Sequence, residues 1–366
     1  MIIRKQISLT NKKVVYSKVR ILSLLITICC CICFSCKAIA KEEPKFAYLF
    51  VYFMNNSPKG EQLYFAVSKD GYNYIPLNNG KRIINIDSVA CWKCIRDPHI
   101  LRGYDRKTFY MVATDMKSSA GWSSNDGIVL FKSTDLINWE TTAIDFPTVF
   151  PHLYTREDLK RVWAPQTIYD EKEGKYMVYY SLQNKDDYLT IYYSYANKDF
   201  TSLSEPKKLI DCGSSIIDAD IVKHDNLYHM FLAGIWKMTA PDIKGPWSPL
   251  EKHKKYQQTD KKAEGPGVFQ MNNSTDWILM YDCYMDGYYQ FCRSSDLEHF
   301  ELIAQTKTSG SFTPRHGTVI GITKKELLHL IEAFPSKEIS NTVDYLKYFL
   351  YLNIKNIIFF NHHNTK

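Results

Sequence analysis

Four side chains that could do chemistry stand at the starts of short apolar runs. They are Asp97 in RDPHIL (96–101), Asp218 in IDADIVKHD (217–225), Glu264 in EGPGVFQ (264–270) and His316 in PRHGTVIGI (314–322). One further run of the same kind, WAPQTIYD (163–170), carries Trp163 instead. Two carboxyl groups set a sugar's width apart can cut a glycosidic bond. One protonates the leaving oxygen, and the other handles water or the anomeric carbon. A third carboxylate nearby raises the acid's pKa by like-charge repulsion. That chemistry requires segments far apart in the chain to meet at one place.

The elements that could bring them together repeat. A corner phrase returns five times: SKDGYNY (68–74), STDLINW (133–139), ANKDFTSL (196–203), TAPDIKGPW (239–247) and SSDLEHF (294–300). Each copy follows aromatic and β-branched residues. Each sets an Asp shortly before an aromatic residue or Leu, the pattern of a strand–turn–strand corner. Copies spaced tens of residues apart, each with three or four short strands, spell a β-propeller. Five copies predict five blades and an all-β fold. Second strands follow most openings, in TFYMVAT (108–114), KYMVYYS (175–181), LYHMFLA (227–233) and WILMYDC (277–283). FAYLFVYF (46–53) reads as a second strand with no first strand before it, and RHGTVIGI has no corner after it. Pairing of these N- and C-terminal strands closes the ring and removes two sheet edges. The inner strands of a propeller surround one axis, so residues that open them converge at one end of the channel.

Each candidate also has a plain structural reading. Asp97 precedes Pro and could serve a turn, and Glu264 before Gly-Pro could cap one. Asp218 competes with Asp220, since side chains two apart on a strand share a face. His316 could be a satisfied core histidine. Trp163 could pack rather than stack on sugar.

The N-terminal 40 residues read as a targeting segment. They carry seven Lys or Arg and no acid, with the apolar run ILSLLITICCCICFS (21–35), the makeup of a signal peptide. AIA (38–40) would suit ordinary cleavage, and CFSC (33–36) resembles a lipobox with Cys36 as a lipid anchor. The expected location is extracytoplasmic, in the periplasm or lipid-anchored at a bacterial outer membrane or cell surface. Without those seven cations the formal charge of +7 falls to zero, so the basic balance implies no nucleic-acid partner. The expected divisions are 1–40 as signal, 41–336 as propeller and 337–366 as an atypical apolar, Asn/Lys-rich tail. CWKC (91–94) has C-x-x-C spacing without a second pair or nearby His for zinc, which leaves an incidental pair or a local disulfide.

The ordered set RDPHI, WAPQTIYD, IDADI, EGP and RHGTVI resembles the five-bladed propellers of glycoside hydrolase family 43, closest to secreted bacterial arabinosidases. The resemblance covers roughly residues 45–335. It implies an inverting hydrolase of arabinose-, xylose- or galactose-containing plant oligo- or polysaccharides, acting as a monomer. Asp97 would be the general base, Asp218 the pKa modulator and Glu264 the general acid. Arg315 and Trp163 would be sugar contacts. His316 would match an axial histidine near a structural calcium or sodium ion, with no cofactor required for the reaction. The N-D-P-N-like nucleophile segment of the related sucrose-type fructosidases has no counterpart before Asp97, which favours inversion. The preferred substrate is an α-L-arabinofuranoside. A β-xyloside, a β-galactoside and a glycan-binding propeller without catalysis are the alternatives.

Overall fold

The computed structural model describes residues 43–308, 310 and 312–340. The proposed signal segment, Cys36 and all but the first four residues of the 337–366 tail lie outside the described residues. The described residues from Pro44 onward form one compact unit.

Its strands form five small sheets. The first contains β1 (Lys45–Tyr52), β2 (Tyr64–Ser68) and β3 (Tyr74–Pro76). The second runs β4 (Ile95–Arg102), β5 (Phe109–Asp115), β6 (Gly127–Ser133) and β7 (Glu140–Asp145). The third runs β8 (Leu159–Asp170), β9 (Lys175–Asn184), β10 (Thr190–Tyr195) and β11 (Lys207–Ile210). The fourth has only β12 (Asp220–His224), β13 (Leu227–Leu232) and β14 (Trp236–Ala240). The fifth runs β15 (Glu264–Gln270), β16 (Trp277–Cys283), β17 (Tyr288–Ser294) and β18 (Glu301–Lys307). The last strand, β19 (Gly317–Thr323), returns to pair antiparallel with β1, Tyr52 opposite Gly317. This is the expected closure of a five-bladed propeller.

Alternation along the strands builds the ring. On β1, Ala47, Leu49 and Val51 join a cluster with Ile100, Met111 and Phe131 of the second blade. Tyr48, Phe50 and Tyr52 face the other way, toward Phe269, Met280 and Phe291 of the fifth. A continuous apolar run therefore marks a strand buried on both faces. Clusters of the same kind fill the remaining seams, second to third, third to fourth and fourth to fifth. Full burial of each large side chain contributes about 1.5–3 kcal/mol, and every seam holds several. The stacked seams leave the two ends of the channel as the places where polar groups can collect.

The corner phrases join third to fourth strands. Ser68, Ser133 and Ser294 close β2, β6 and β17, and the Asp two residues on accepts two backbone N–H groups. In the fourth blade the corner leads to GPWSPL (245–250), where Pro246 and Pro249 lack the donors of a ladder. Only Ser248 and Glu251 pair back to β14, through Thr239 and Lys237 carbonyls.

Helix α1 (Phe146–Val149) follows β7, α2 (Lys324–Ala333) follows β19, and α3 (Lys337–Ser340) ends the described chain. Ile339 of α3 is buried in the first seam with Leu330 and Ile331, so the start of the expected tail packs on the propeller. Cys91 and Cys94 are both free. The local disulfide is absent.

Candidate active site

The inner strands β4, β8 and β15 share a distortion at their openings. Pairing skips between Arg96 and His99, between Trp163 and Gln166, and between Glu264 and Gly267. Within each skip one residue adopts a left-handed backbone: Asp97 (φ 49°), Ala164 (φ 46°) and Gly265 (φ 57°). Asp218 (φ 56°) takes the same conformation just before β12. The first three precede proline. Such positions cost an L-residue about 1–3 kcal/mol and re-aim a side chain out of the ladder. Asp97 and Asp218 therefore hold equivalent places, and Glu264 stands one residue earlier, level with Arg96 and Trp163. Gly265 has a second reason to lack a side chain: a Cβ there would lie 2.8 Å from His316 Cγ.

The distortions bring three blades' acids to His316, which the first blade supplies just before β19. Its Nδ1 lies 3.5 Å from Asp97 Oδ1 and 3.9 Å from Asp218 Oδ1. Burial disfavours the imidazolium, but Asp218, Asp97 and Glu264 outweigh it and hold the His316 pKa up at about 9. Burial also works to raise Asp97, yet His316, Arg96 and Thr114 together keep it below the usual value. Asp218 is pushed up by burial and by the Asp97 charge, against His316, the Gly265 N–H and Arg96. Glu264 is lifted by burial and by Asp218, with Arg315 and His316 opposing. Around this imidazole Asp97 is shifted down while Asp218 and Glu264 are shifted up.

Hydrogen bonds across the seams fix these orientations. Thr114 Oγ1 accepts from the Ala164 N–H at 2.9 Å and donates to Asp97 Oδ2 at 3.0 Å. The Gly265 N–H donates to Asp218 Oδ2 at 3.2 Å. Asp220, the rival carboxyl, accepts instead from the Val268 N–H at 2.5 Å. Burial lifts it to about 7, and its contact is a seam contact with the fifth blade.

Arg315, expected as a sugar contact, bridges two acids. Its Nη2 donates to Glu264 Oε1 at 2.5 Å and its Nε to Asp282 Oδ2 at 2.6 Å. Trp163 stands in a separate wall. Its ring meets Trp122 edge-on at 6.1 Å, and the Arg161 guanidinium lies 4.8 Å over its face. Trp122 is 48% exposed, and Arg96 covers it at 5.2 Å. An exposed indole fixed by neighbours can stack on a sugar ring at little entropic cost. Arg96 in turn pairs with the fully buried Glu61 at 3.0 Å.

Thr114, Asp282 and Trp122 were missed from sequence. Thr114 closes TFYMVAT and Asp282 stands next to last in WILMYDC, so their position near the ends of second strands is the available signal. Among the described residues no group of three or more His, Cys, Asp and Glu is arranged to hold a metal. His316 also turns Nδ1 to two carboxylates as a cation.

A family model described as "Probable glycosyl hydrolase domain", of the glycosyl hydrolase 43-related type, matches residues 43–327. An α-L-arabinofuranosidase of Bifidobacterium longum subsp. longum is 27% identical over 211 residues, covering 51% of this chain and 19% of that protein. The chain thus matches about a fifth of that curated relative's length. Among solved structures, a family-43 protein of Bacillus licheniformis aligns with TM-score 0.49 and 17% identity, over 76% of this chain and 50% of that one. A thermostable family-43 glycoside hydrolase aligns with TM-score 0.42 and 19% identity, over 57% and 72%.

Proposed function

Since this chain belongs to the glycosyl hydrolase 43-related family, we propose that it is a glycosidase that removes α-L-arabinofuranosyl groups from plant oligo- or polysaccharides with inversion. The supporting observation is the opposite tuning of two acids around one imidazolium. Asp97 is held low by His316, Arg96 and Thr114 against burial, while Glu264 is pushed up by burial and Asp218. Titratable pairs driven apart in this way take the base and acid roles.

In this reading Asp97 accepts a proton from water as that water attacks the anomeric carbon. Glu264 gives its proton to the leaving oxygen as the glycosidic bond breaks, and the bond's electron pair stays on that oxygen. Asp218 is locked by the Gly265 N–H beside Glu264. Its repulsion keeps Glu264 protonatable, and its attraction helps keep His316 charged. The Trp163–Trp122 wall offers the stacking face. Arabinofuranose is supported by the named activity of the Bifidobacterium relative. Extracytoplasmic action on plant glycans, with anchoring through Cys36, belongs to the same reading.

The test is proton NMR of the first product formed from 4-nitrophenyl α-L-arabinofuranoside. The β-anomer must appear first. An α-anomer would overturn inversion, and turnover of only the β-xyloside or β-galactoside would overturn the sugar.

A further inference from the structure

We propose that Asp282 is a positioning residue for the acid half of the site, gripping Arg315 so that Arg315 fixes which oxygen of Glu264 carries the proton. This rests on the reading of Glu264 as the general acid. Asp282 lies on β16 directly opposite Glu264 in the ladder, and it is 1% exposed. Its Oδ2 accepts the Arg315 Nε–H at 2.6 Å, and Arg315 Nη2 donates to Glu264 Oε1 at 2.5 Å.

The Arg315 backbone is anchored at both its N–H and its carbonyl, and one ring lies near the guanidinium. The Arg315 backbone N–H donates to the Phe53 carbonyl at 2.8 Å, and the Tyr289 hydroxyl donates to the Arg315 carbonyl at 2.8 Å. The Tyr284 ring lies 5.3 Å from its Cζ. Glu264, by contrast, has a side chain 33% exposed, so its orientation depends on what Arg315 does.

A guanidinium only donates hydrogen bonds. Glu264 Oε1 must therefore accept, and the acid's proton resides on Oε2. When Oε2–H passes its proton to the leaving oxygen, the carboxylate left behind already has a cation on Oε1. The groups around this pair are Glu264 on β15, Arg315 and His316 ahead of β19, and Tyr289 on β17. Asp282 supplies the anion that keeps Arg315 in line.

The experiment measures kcat/KM of the full chain and Asp282→Asn on 2,4-dinitrophenyl and phenyl α-L-arabinofuranosides. The dinitrophenolate departs without protonation, whereas the phenolate needs the acid. General acid catalysis contributes about 10²–10⁴-fold, so Asp282→Asn should lose roughly 30-fold or more on the phenyl glycoside and only about 3-fold on the other. Equal losses on both overturn the proposal. Glu264→Gln runs alongside. If it shows the graded loss and Asp282→Asn does not, Asp282 alone falls. If Glu264→Gln is also ungraded, the acid assignment falls and takes Asp282 with it. Should Asp282→Asn fail to fold, Arg315→Lys gives the same reading, because lysine cannot reach both carboxyls. A graded loss supports the proposal and a uniform one overturns it.

Discussion

Acidic residues sit at the outer corners and at several inner openings of the repeats, and their surroundings differ. At the outer corners Asp70, Asp135 and Asp296 each accept backbone N–H groups from the residues that follow, plus a nearby Ser hydroxyl. Those bonds outweigh burial at Asp135 and carry it down to about 2. At the inner openings the acids have few donors and much burial. Asp218 and Glu264 are raised, and Asp282, on the neighbouring second strand, reaches about 6 under burial although Arg315 opposes. Asp97 is the exception, lowered because His316, Arg96 and Thr114 outweigh burial. A carboxyl satisfied by its own turn is structural. One left to burial, like charge and a shared cation can change protonation state during a reaction.

Substitutions should separate the two classes. The largest loss belongs to Asp97→Asn, which leaves the attacking water without a base. Its kcat should fall at least ~100-fold in a protein that still folds, measured on 4-nitrophenyl α-L-arabinofuranoside. A loss below tenfold would place Asp97 among the structural acids.

The pH dependence comes next. Activity needs Asp97 ionised and Glu264 protonated, so kcat/KM should be bell-shaped. Its acid limb should fall below the ordinary Asp value and its basic limb above the ordinary Glu value, following the shifts of the two groups. A basic limb at or below the ordinary Glu value would break the contrast. Stability carries a matching signature at His316, whose pKa is raised from 6.5 to about 9. The contribution is complete below about 6.5 and disappears as pH rises through about 9. Melting temperatures scanned from pH 6 to 10 should show that loss, and His316→Gln should lack it.

Thr114→Val removes the hydroxyl that joins Asp97 to the Ala164 N–H. It leaves a buried donor unpaired, so about 1–3 kcal/mol of stability should go, with roughly tenfold in kcat for the loss of base orientation. Intact kinetics would make Thr114 a seam residue only. The smallest effect belongs to the outer class. Asp135→Asn should cost about 1 kcal/mol or less in chemical denaturation and leave kcat unchanged.

The same division explains what could be read from sequence. Corner turns and strand alternation are local, so five blades, the closing β1–β19 pair and the blade openings were all legible. Asp97, Asp218, Glu264 and His316 were named because they open inner strands, and the structure brings them together. The fourth blade's missing strand lay in plain view as two prolines within GPWSPL. The supporting contacts were not legible, because they join separate blades: Thr114 to Ala164, Gly265 to Asp218, and Arg315 to Asp282. No pattern within one repeat encodes them. Arg315 was read as a sugar contact from its motif alone, and its two carboxylate partners only emerge once β16 stands beside β15.

The most direct test compares one acid from each class in a single assay. Purified full chain, Glu264→Gln and Asp135→Asn are measured on the 4-nitrophenyl glycosides of α-L-arabinofuranose, β-D-xylose and β-D-galactose. The account predicts turnover of the arabinofuranoside, a loss of at least ~100-fold in Glu264→Gln and less than about 2-fold in Asp135→Asn. Undiminished turnover in a folded Glu264→Gln protein, or an equal loss in both variants, would contradict it.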